Sequence, residues 1–370
     1  MSTQVYFVVP DSIDEPARVS GGNVYDQRVR SGLRDAGWDV RMLLIPSSAP
    51  HQDAASPVEH ALAQVPDDAV VVIDGLIAVR ESAALTAHSR RLRIVVLAHM
   101  VASAATPAAA LPERESAALH AARRIIATSE WTRSELTTRD LAEPGTIAVA
   151  PPGTNRAAQT VTSDGGGRLL CVGAVAPHKG QDLLVNALAQ LRDIDDWTCT
   201  IVGSHDVAPR FAAELAQTVQ RAGLDNRVTF TGALTGSALD AAYGAADLLV
   251  VPSRSESFGM VITEALARGI PVVATRVGGI PEALVSAAAG MLVDADRPQA
   301  LESALREWLT GADARRRLTA AAVRARESIR PWSETTAIIA ATLSAVAQKQ
   351  GAPNEGASRT STLTPTAAPA

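Results

Sequence analysis

Only two cysteines occur in the 370 residues, Cys171 and Cys199, and each lies in an apolar run that reads as a strand. A disulfide-stapled scaffold is thereby excluded. Buried free thiols in a reducing compartment fit better than a lone structural disulfide. No apolar run approaches the roughly 18 residues that a membrane-crossing helix needs. The opening MSTQVYFVVP has no basic region and no cleavage site, and its apolar stretch is only strand-length. The expected location is cytoplasmic, with peripheral membrane contact left open. An excess of positive charge is also missing: the formal net charge is −5, which argues against a nucleic-acid partner. The histidines lack the Cys or carboxylate spacing of a metal site, so no metal and no cofactor are expected. What is present is an ordinary globular balance, 47% hydrophobic and 20% charged, in a chain long enough for two cores.

Strand-like apolar runs recur at Val5–Pro10, Val40–Ile45, Ala69–Asp74, Ile94–Ala98, Arg124–Thr128 and Thr146–Ala150. A turn-rich segment holding Gly21 and Gly22 follows the first run, and a helical pattern extends from Val24 to Ala36. Thr154–Gly167 breaks the rhythm with polar residues and three consecutive glycines, and reads as an interdomain linker. The alternation then restarts at Leu169 and runs through Gly290–Val293, with helical patterns at Pro298–Leu309, Asp313–Ser328 and Pro331–Ala347. The fold class is α/β: two Rossmann-like, doubly wound domains facing a central cleft. Residues 1–155 form the N-terminal Rossmann-like domain and 156–330 the C-terminal one. Residues 331–350 form a helix packing back on the first domain, and 351–370 a disordered tail. Ligands of such sheets bind at the carboxyl ends of the strands, so the site belongs to strand-to-helix loops of both halves.

The most informative segment is Val250–Glu282, VVPSRSESFGMVITEALARGIPVVATRVGGIPE. A strand ends at Pro252, a polar loop carries Glu256, and Gly259 opens a helix carrying Glu264. A glycine at a helix start lets a diphosphate approach unpaired N–H groups. Glu256 is placed for sugar hydroxyls beside those phosphates and Glu264 for a second polyol such as ribose. An isolated Glu in either place would more often be an ordinary helix-terminal or surface acid.

Glu256 and Glu264, separated by seven residues in SESFGMVITEALARGIPVVAT, resemble the E-x7-E motif of retaining GT-B glycosyltransferases of family 4. The resemblance extends through SGGN at 20–23, AHM at 98–100, ATSEWTRSEL at 127–136, APPGTN at 150–155, VGAVAPHKGQDLLVNAL at 172–188 and RVTFTGAL at 227–234. It implies transfer of a hexose-type sugar from a nucleotide-diphosphate donor, a UDP-sugar before GDP-mannose, to a small-molecule or glycan acceptor. In that pattern Gly21 and Gly22 approach the donor diphosphate, Lys179 neutralises it, and His99 contacts the donor sugar. Glu256 holds sugar hydroxyls and Glu264 the ribose. The backbone of Phe258, Gly259, Met260 and Val261 lines sugar and phosphates, and Thr231 and Gly232 meet the base. Gly173 is the glycine of the second-domain donor loop. The resemblance also favours a front-face mechanism, in which the leaving phosphate helps to deprotonate the acceptor.

One departure stands out. The family places Arg directly after that glycine, where this chain has Ala174; His178, Arg254 and Arg276 are candidate substitutes. Without the family match, His99 is as readily structural, Lys179 a solvated charge and Gly21–Gly22 a mere turn. Two D-x-D triplets, Asp193–Asp195 and Asp294–Asp296, read as solvated turns rather than metal sites. The clusters Arg28, Arg30, Arg34 and Arg90, Arg91, Arg93 read first as solvated faces and second as sites for an anionic acceptor. Competing functions are a GT-B sugar-nucleotide epimerase, a phosphorylase, and a non-catalytic nucleotide-sugar binding protein.

Overall fold

The computed structural model describes residues 3–15, 20–46, 56–105 and 110–348. In the first half the strands are β1 (Gln4–Pro10), β2 (Asp39–Ile45), β3 (Val70–Asp74), β4 (Arg93–Ala98), β5 (Arg124–Ala127) and β6 (Ile147–Val149). They alternate with α1 (Gly21–Asp35), α2 (Pro57–Ala63), α3 (Gly75–Arg80), α4 (Ser82–His88), α5 (Ala102–Ala105), α6 (Leu111–His120) and α7 (Glu130–Thr138). The second half has β7 (Arg168–Val172), β8 (Thr198–Val202), β9 (Val228–Gly232), β10 (Leu248–Val251), β11 (Val272–Thr275) and β12 (Gly290–Val293). Its helices are α8 (Gln181–Ala189), α9 (Pro209–Arg221), α10 (Gly236–Gly244), α11 (Met260–Leu266), α12 (Ile280–Ala283), α13 (Pro298–Thr310) and α14 (Ala312–Ala325). The last helix is α15 (Trp332–Ala347).

The strands form two six-stranded sheets, ordered β2-β1-β3-β4-β5-β6 and β12-β11-β10-β7-β8-β9, with every pairing parallel. The expected class, two Rossmann-like sheets, is the observed one. Helices cover both faces of each sheet, which is why β3 (VVVID) and β10 (LLVV) are buried at every position. Strand order reverses between β1 and β3 in the first sheet and between β7 and β10 in the second. At such a reversal the flanking loops diverge and open a crevice at the carboxyl edge. The loops carrying the candidate residues after β1, β3, β7 and β10 all leave from these two points.

Two local readings need correction. The helix expected from Val24 begins at Gly21, so Gly21 and Gly22 are its first turn and not a loop. Glycine is a poor helix former in an interior, but the Ser20 hydroxyl accepts from the Asn23 N–H and nucleates the turn. The helix expected over Asp313–Ser328 stops at Ala325 and finishes as a 3-10 turn.

The stretch 154–167 has no helix or strand, yet it is pinned. The Thr154 hydroxyl donates to Thr263, and Ser163 bonds through N–H and hydroxyl to the buried Asp247 carboxylate. The segment 351–370, expected to be disordered, lies outside the described residues. Cys171 and Cys199 are free and buried; burial pushes the Cys171 thiol up to about 12. Among the described residues no helix is long and apolar enough to cross a membrane.

Helix α15 returns to the first half. Ile339 and Leu343 are buried with Tyr25, Val29 and Leu33 of α1 and with Val72, Val95 and Leu97 of the sheet. The Thr335 hydroxyl donates to Pro151 O, and Arg93 donates to the carbonyls of Val346 and Ala347. Arg30 pairs with Asp14, and Arg91 donates to the carbonyls of Leu62 and Val65, so these arginines serve the fold. Replacing Leu343 by Ala should cost about 2–5 kcal/mol of stability, from lost burial plus the cavity left behind. Chemical denaturation measures this, and a loss below about 1 kcal/mol would show that α15 is not part of the first core.

Candidate functional site

After β7 the chain passes Gly173 and a 3-10 turn, Pro177–Lys179, to Gly180, whose φ is 69°. A side chain at Gly180 would collide with the Pro252 carbonyl, so only glycine lets this turn meet the loop after β10. Arg254 locks the two loops together, donating to both oxygens of Asp182, to Asp296 and to the Pro177 carbonyl. The result is a direct contact: Lys179 Nζ lies 2.6 Å from Glu256 Oε2, with both groups partly exposed to the cleft.

Gly259, at φ 94°, then turns the chain into α11. The Phe258 side chain is buried in the second core, leaving only its backbone for a ligand. Glu264 accepts a 2.8 Å hydrogen bond from the Tyr243 hydroxyl, and burial raises its carboxyl above the ordinary range. Tyr243 is itself fully buried, so it fixes one Glu264 oxygen from behind. Thr231 and Gly232 end β9; Gly232 has φ 73° and open space at its α-carbon.

From the first half, α1 brings its N-terminus to the same place. A side-chain carbon on Gly21 would lie 3.9 Å from Met260 Sδ, and one on Gly22 would lie 3.4 Å from His99 Cδ2. The amides of Gly21 and Gly22 take no protein partner among the described residues. His99, at the end of β4, directs Nε2 to Asp26 Oδ1 at 2.9 Å and to Asp74 Oδ2 at 3.5 Å. Asp26 comes from α1; Asp74 ends β3 and caps α3 by accepting from the Ile77 N–H. Burial alone lowers the His99 pKa, but the Asp26 charge and hydrogen bond, then Asp74, overcome it and raise the pKa to about 9.

The structure thus gathers Gly21, Gly22, His99, Lys179, Glu256, Gly259 and Met260 around one cleft. Gly173 adjoins the Lys179 side chain, and Val261 and Glu264 lie further along α11. The candidate stand-ins for the arginine absent at Ala174 fare unevenly. Arg254 is saturated by carboxylates. Burial and the Lys179 charge lower the His178 pKa, so that ring is neutral near pH 7. The Arg276 side chain has no ion pair among the described residues. The D-x-D triplets are used structurally, Asp193 pairing with Arg306 and Asp296 with Arg254.

Sequence reasoning missed four residues. Asp26, Asp74 and His99 are far apart in the chain, yet offer ligand-type atoms within 4.8 Å of one another, which spacing along the sequence hid. The available signal was a carboxylate at position 26 on the face of α1 that also carries Val29 and Leu33. Tyr243 is the third. The fourth is Glu282, whose carboxylate accepts from the N–H groups of Glu130 and Trp131, at 2.9 and 2.6 Å, at the start of α7. This acid of the second half caps a helix of the first. A side chain at Gly278 would collide with the Glu256 carbonyl, so the GGIPE turn also packs on the Glu256 loop. A surface hollow of about 630 Å3 lined by Ser163, Arg168, Asp195, Trp197 and Arg227 lies at the opposite ends of β7 and β8, remote from these groups.

Two facing parallel α/β sheets, with paired charges where their strand orders reverse, are the GT-B architecture. Residues 155–324 match the family described as glycosyl transferases group 1, and the fold is that of solved GT-B glycosyltransferases. A D-inositol 3-phosphate glycosyltransferase of Pseudarthrobacter chlorophenolicus is 38% identical over 236 residues, covering 59% of this chain and 54% of the relative. One of the same name from Segniliparus rotundus is 32% identical over 212 residues, covering 54% and 47%. The chain therefore spans about half the length of these relatives. Sucrose-phosphate synthase from Thermosynechococcus elongatus superposes with a TM-score of 0.76 at 22% identity, over 93% of this chain and 99% of that one. Anabaena Alr3699/HepE in complex with UDP-glucose superposes at 0.75 and 20% identity, over 92% and 99%.

If Glu282 clasps the halves, Glu282→Ala should speed hydrogen exchange at the Glu130 and Trp131 amides about tenfold or more, since each loses a charged acceptor. Unchanged protection at both amides would show that the contact does not hold them.

Proposed function

We propose that this protein is a retaining hexosyltransferase of family 4. It takes the sugar from a nucleotide-diphosphate donor, a UDP-sugar in preference to GDP-mannose, and passes it to a hydroxyl of a small polyol or glycan. Residues 1–155 hold the acceptor and 156–330 the donor, and the chain works in the cytoplasm. The observation that carries the reading is the cleft in which Lys179, Glu256 and the free amides of α1 converge from both halves. UDP-glucose bound by a structural neighbour and the sugar transfer named for the curated relatives support the donor class.

In this reading Lys179 and Glu256 hold each other until the donor parts them. Phosphate oxygens replace the carboxylate at Lys179 Nζ, and sugar hydroxyls donate to Glu256. The Gly21–Gly22 amides meet the diphosphate from the other side. As the anomeric carbon–oxygen bond breaks, negative charge grows on the leaving phosphate beside Lys179, and a cation in a water-poor site stabilises it strongly. The acceptor attacks from the face that the diphosphate leaves, its proton passing to a phosphate oxygen. The protein contributes position and charge rather than a covalent intermediate. Glu264, oriented by Tyr243, takes a ribose hydroxyl, and the backbone at Phe258–Val261, Gly173, Thr231 and Gly232 lines the rest.

UDP-glucose at a hundredfold its Kd should stabilise the fold by about 2.7 kcal/mol, seen as a raised Tm, with GDP-mannose giving less. Lys179→Ala and Glu256→Ala should each lower kcat by about 10²-fold or more while preserving the fold. Normal turnover in both variants would remove these roles. Phosphate-dependent release of a sugar phosphate, donor turnover without acceptor, or tight binding without transfer would assign instead the phosphorylase, the epimerase or the binding protein.

A further inference from the structure

The buried carboxylate of Asp26 is costly. It sits on the inner face of α1, is 1% exposed, and its Oδ2 has no hydrogen-bond partner among the described residues. An unpaired oxygen of this kind is normally designed out of a core or retained for chemistry. Its other oxygen meets His99 Nε2 at 2.9 Å, Asp74 backs the same nitrogen at 3.5 Å, and the Tyr25 ring lies edge-on to the imidazole at 5.3 Å. These are the titratable groups of α1 and β3 that face the ring. His99 Nδ1 takes no partner among the described residues and is not sealed from solvent. The Cδ2–Cγ edge of the ring adjoins Gly22, at the helix end where the donor phosphates are placed.

Across the cleft, the second half offers Lys179, held by Glu256, and Arg276, which has no ion pair among the described residues. Ala174 stands where the resembling family has arginine, Arg254 is occupied by Asp182 and Asp296, and His178 is neutral. We propose that Asp26, backed by Asp74, is a positioning residue that holds His99 as an imidazolium beside Gly22 at the donor end of α1, supplying from the first half a charge that Ala174 does not. The arrangement is a lever: a carboxylate on the inner nitrogen fixes the ring's orientation and keeps the outer nitrogen protonated. The inference rests on the donor reading above, and its test separates the two.

Histidine-labelled protein followed by NMR across pH 6 to 10 reads the His99 charge with no donor present, the His99→Gln spectrum giving the assignment. UDP affinity by calorimetry over the same range reads its consequence. In the wild type His99 should titrate near 9, because the Asp26 and Asp74 carboxylates outweigh burial. In Asp26→Asn the midpoint should fall toward the ordinary value of about 6.5. UDP's own titration cancels in the ratio of the two affinities. That ratio should be within about threefold at pH 6 and rise to about tenfold or more at pH 8, where only the wild type keeps the charge. His99→Gln, which cannot charge, should bind UDP weakly with no inflection near pH 9.

A wild-type His99 that titrates near 6.5 overturns the proposal, as does an Asp26→Asn affinity ratio independent of pH, which marks a merely structural carboxylate. If Asp26→Asn does not fold, the wild-type midpoint and the His99→Gln profile still decide. If no UDP binds the wild type at millimolar concentration, the donor reading fails, while the NMR midpoint still judges the Asp26–His99 pair.

Discussion

The contact between Lys179 and Glu256 is the constraint around which the second half is arranged. Opposite charges 2.6 Å apart are mutually satisfying while the cleft is empty, and neither is free to fold away elsewhere. Their partnership depends on two backbone facts. Gly180 admits the Pro252 carbonyl, and Arg254 staples the Pro177–Lys179 turn to the loop after β10. Three carbonyl and carboxylate partners on one guanidinium make this a rigid junction, since Arg's planar fork loses little freedom per bond formed.

The first half answers with a different device. Its sheet reverses between β1 and β3, and the three groups that surround the reversal are Asp26, Asp74 and His99. The two halves are joined at their margins: α15 crosses back to seal the first core, Thr154 bonds Thr263, and Glu282 caps α7. Glu282 belongs to the same turn that packs on the Glu256 carbonyl. A shift of α7 would therefore be felt at the Glu256 loop.

Much of this was readable beforehand, and the limits are instructive. The central strands, such as β3 and β10, announce themselves as apolar runs, because sheets covered on both faces leave no room there for alternation. The E-x7-E segment placed Glu256 before α11 and Glu264 within it, since the glycine and the helical period are local signals. The start of α1 was misread because propensity counts Gly21 and Gly22 against a helix, while the Ser20 cap outweighs it. The His99 pair was illegible for a deeper reason. Residues 26, 74 and 99 meet only because β1, β3 and β4 are neighbours in the sheet, an order that periodicity along one chain does not encode. The substitute for the missing arginine was sought within the second half, near Ala174 in sequence, whereas the ring that adjoins Gly22 is that of His99, from the first.

The central claim is that a donor diphosphate bridges the two reversals, and a crystal structure with UDP bound tests it most directly. The account predicts phosphate oxygens between the Gly21–Gly22 amides and Lys179 Nζ, with the Lys179–Glu256 contact opened to admit them. UDP found outside this cleft, or seated within it while Lys179 and Glu256 remain paired and the α1 amides stay bare, would contradict it.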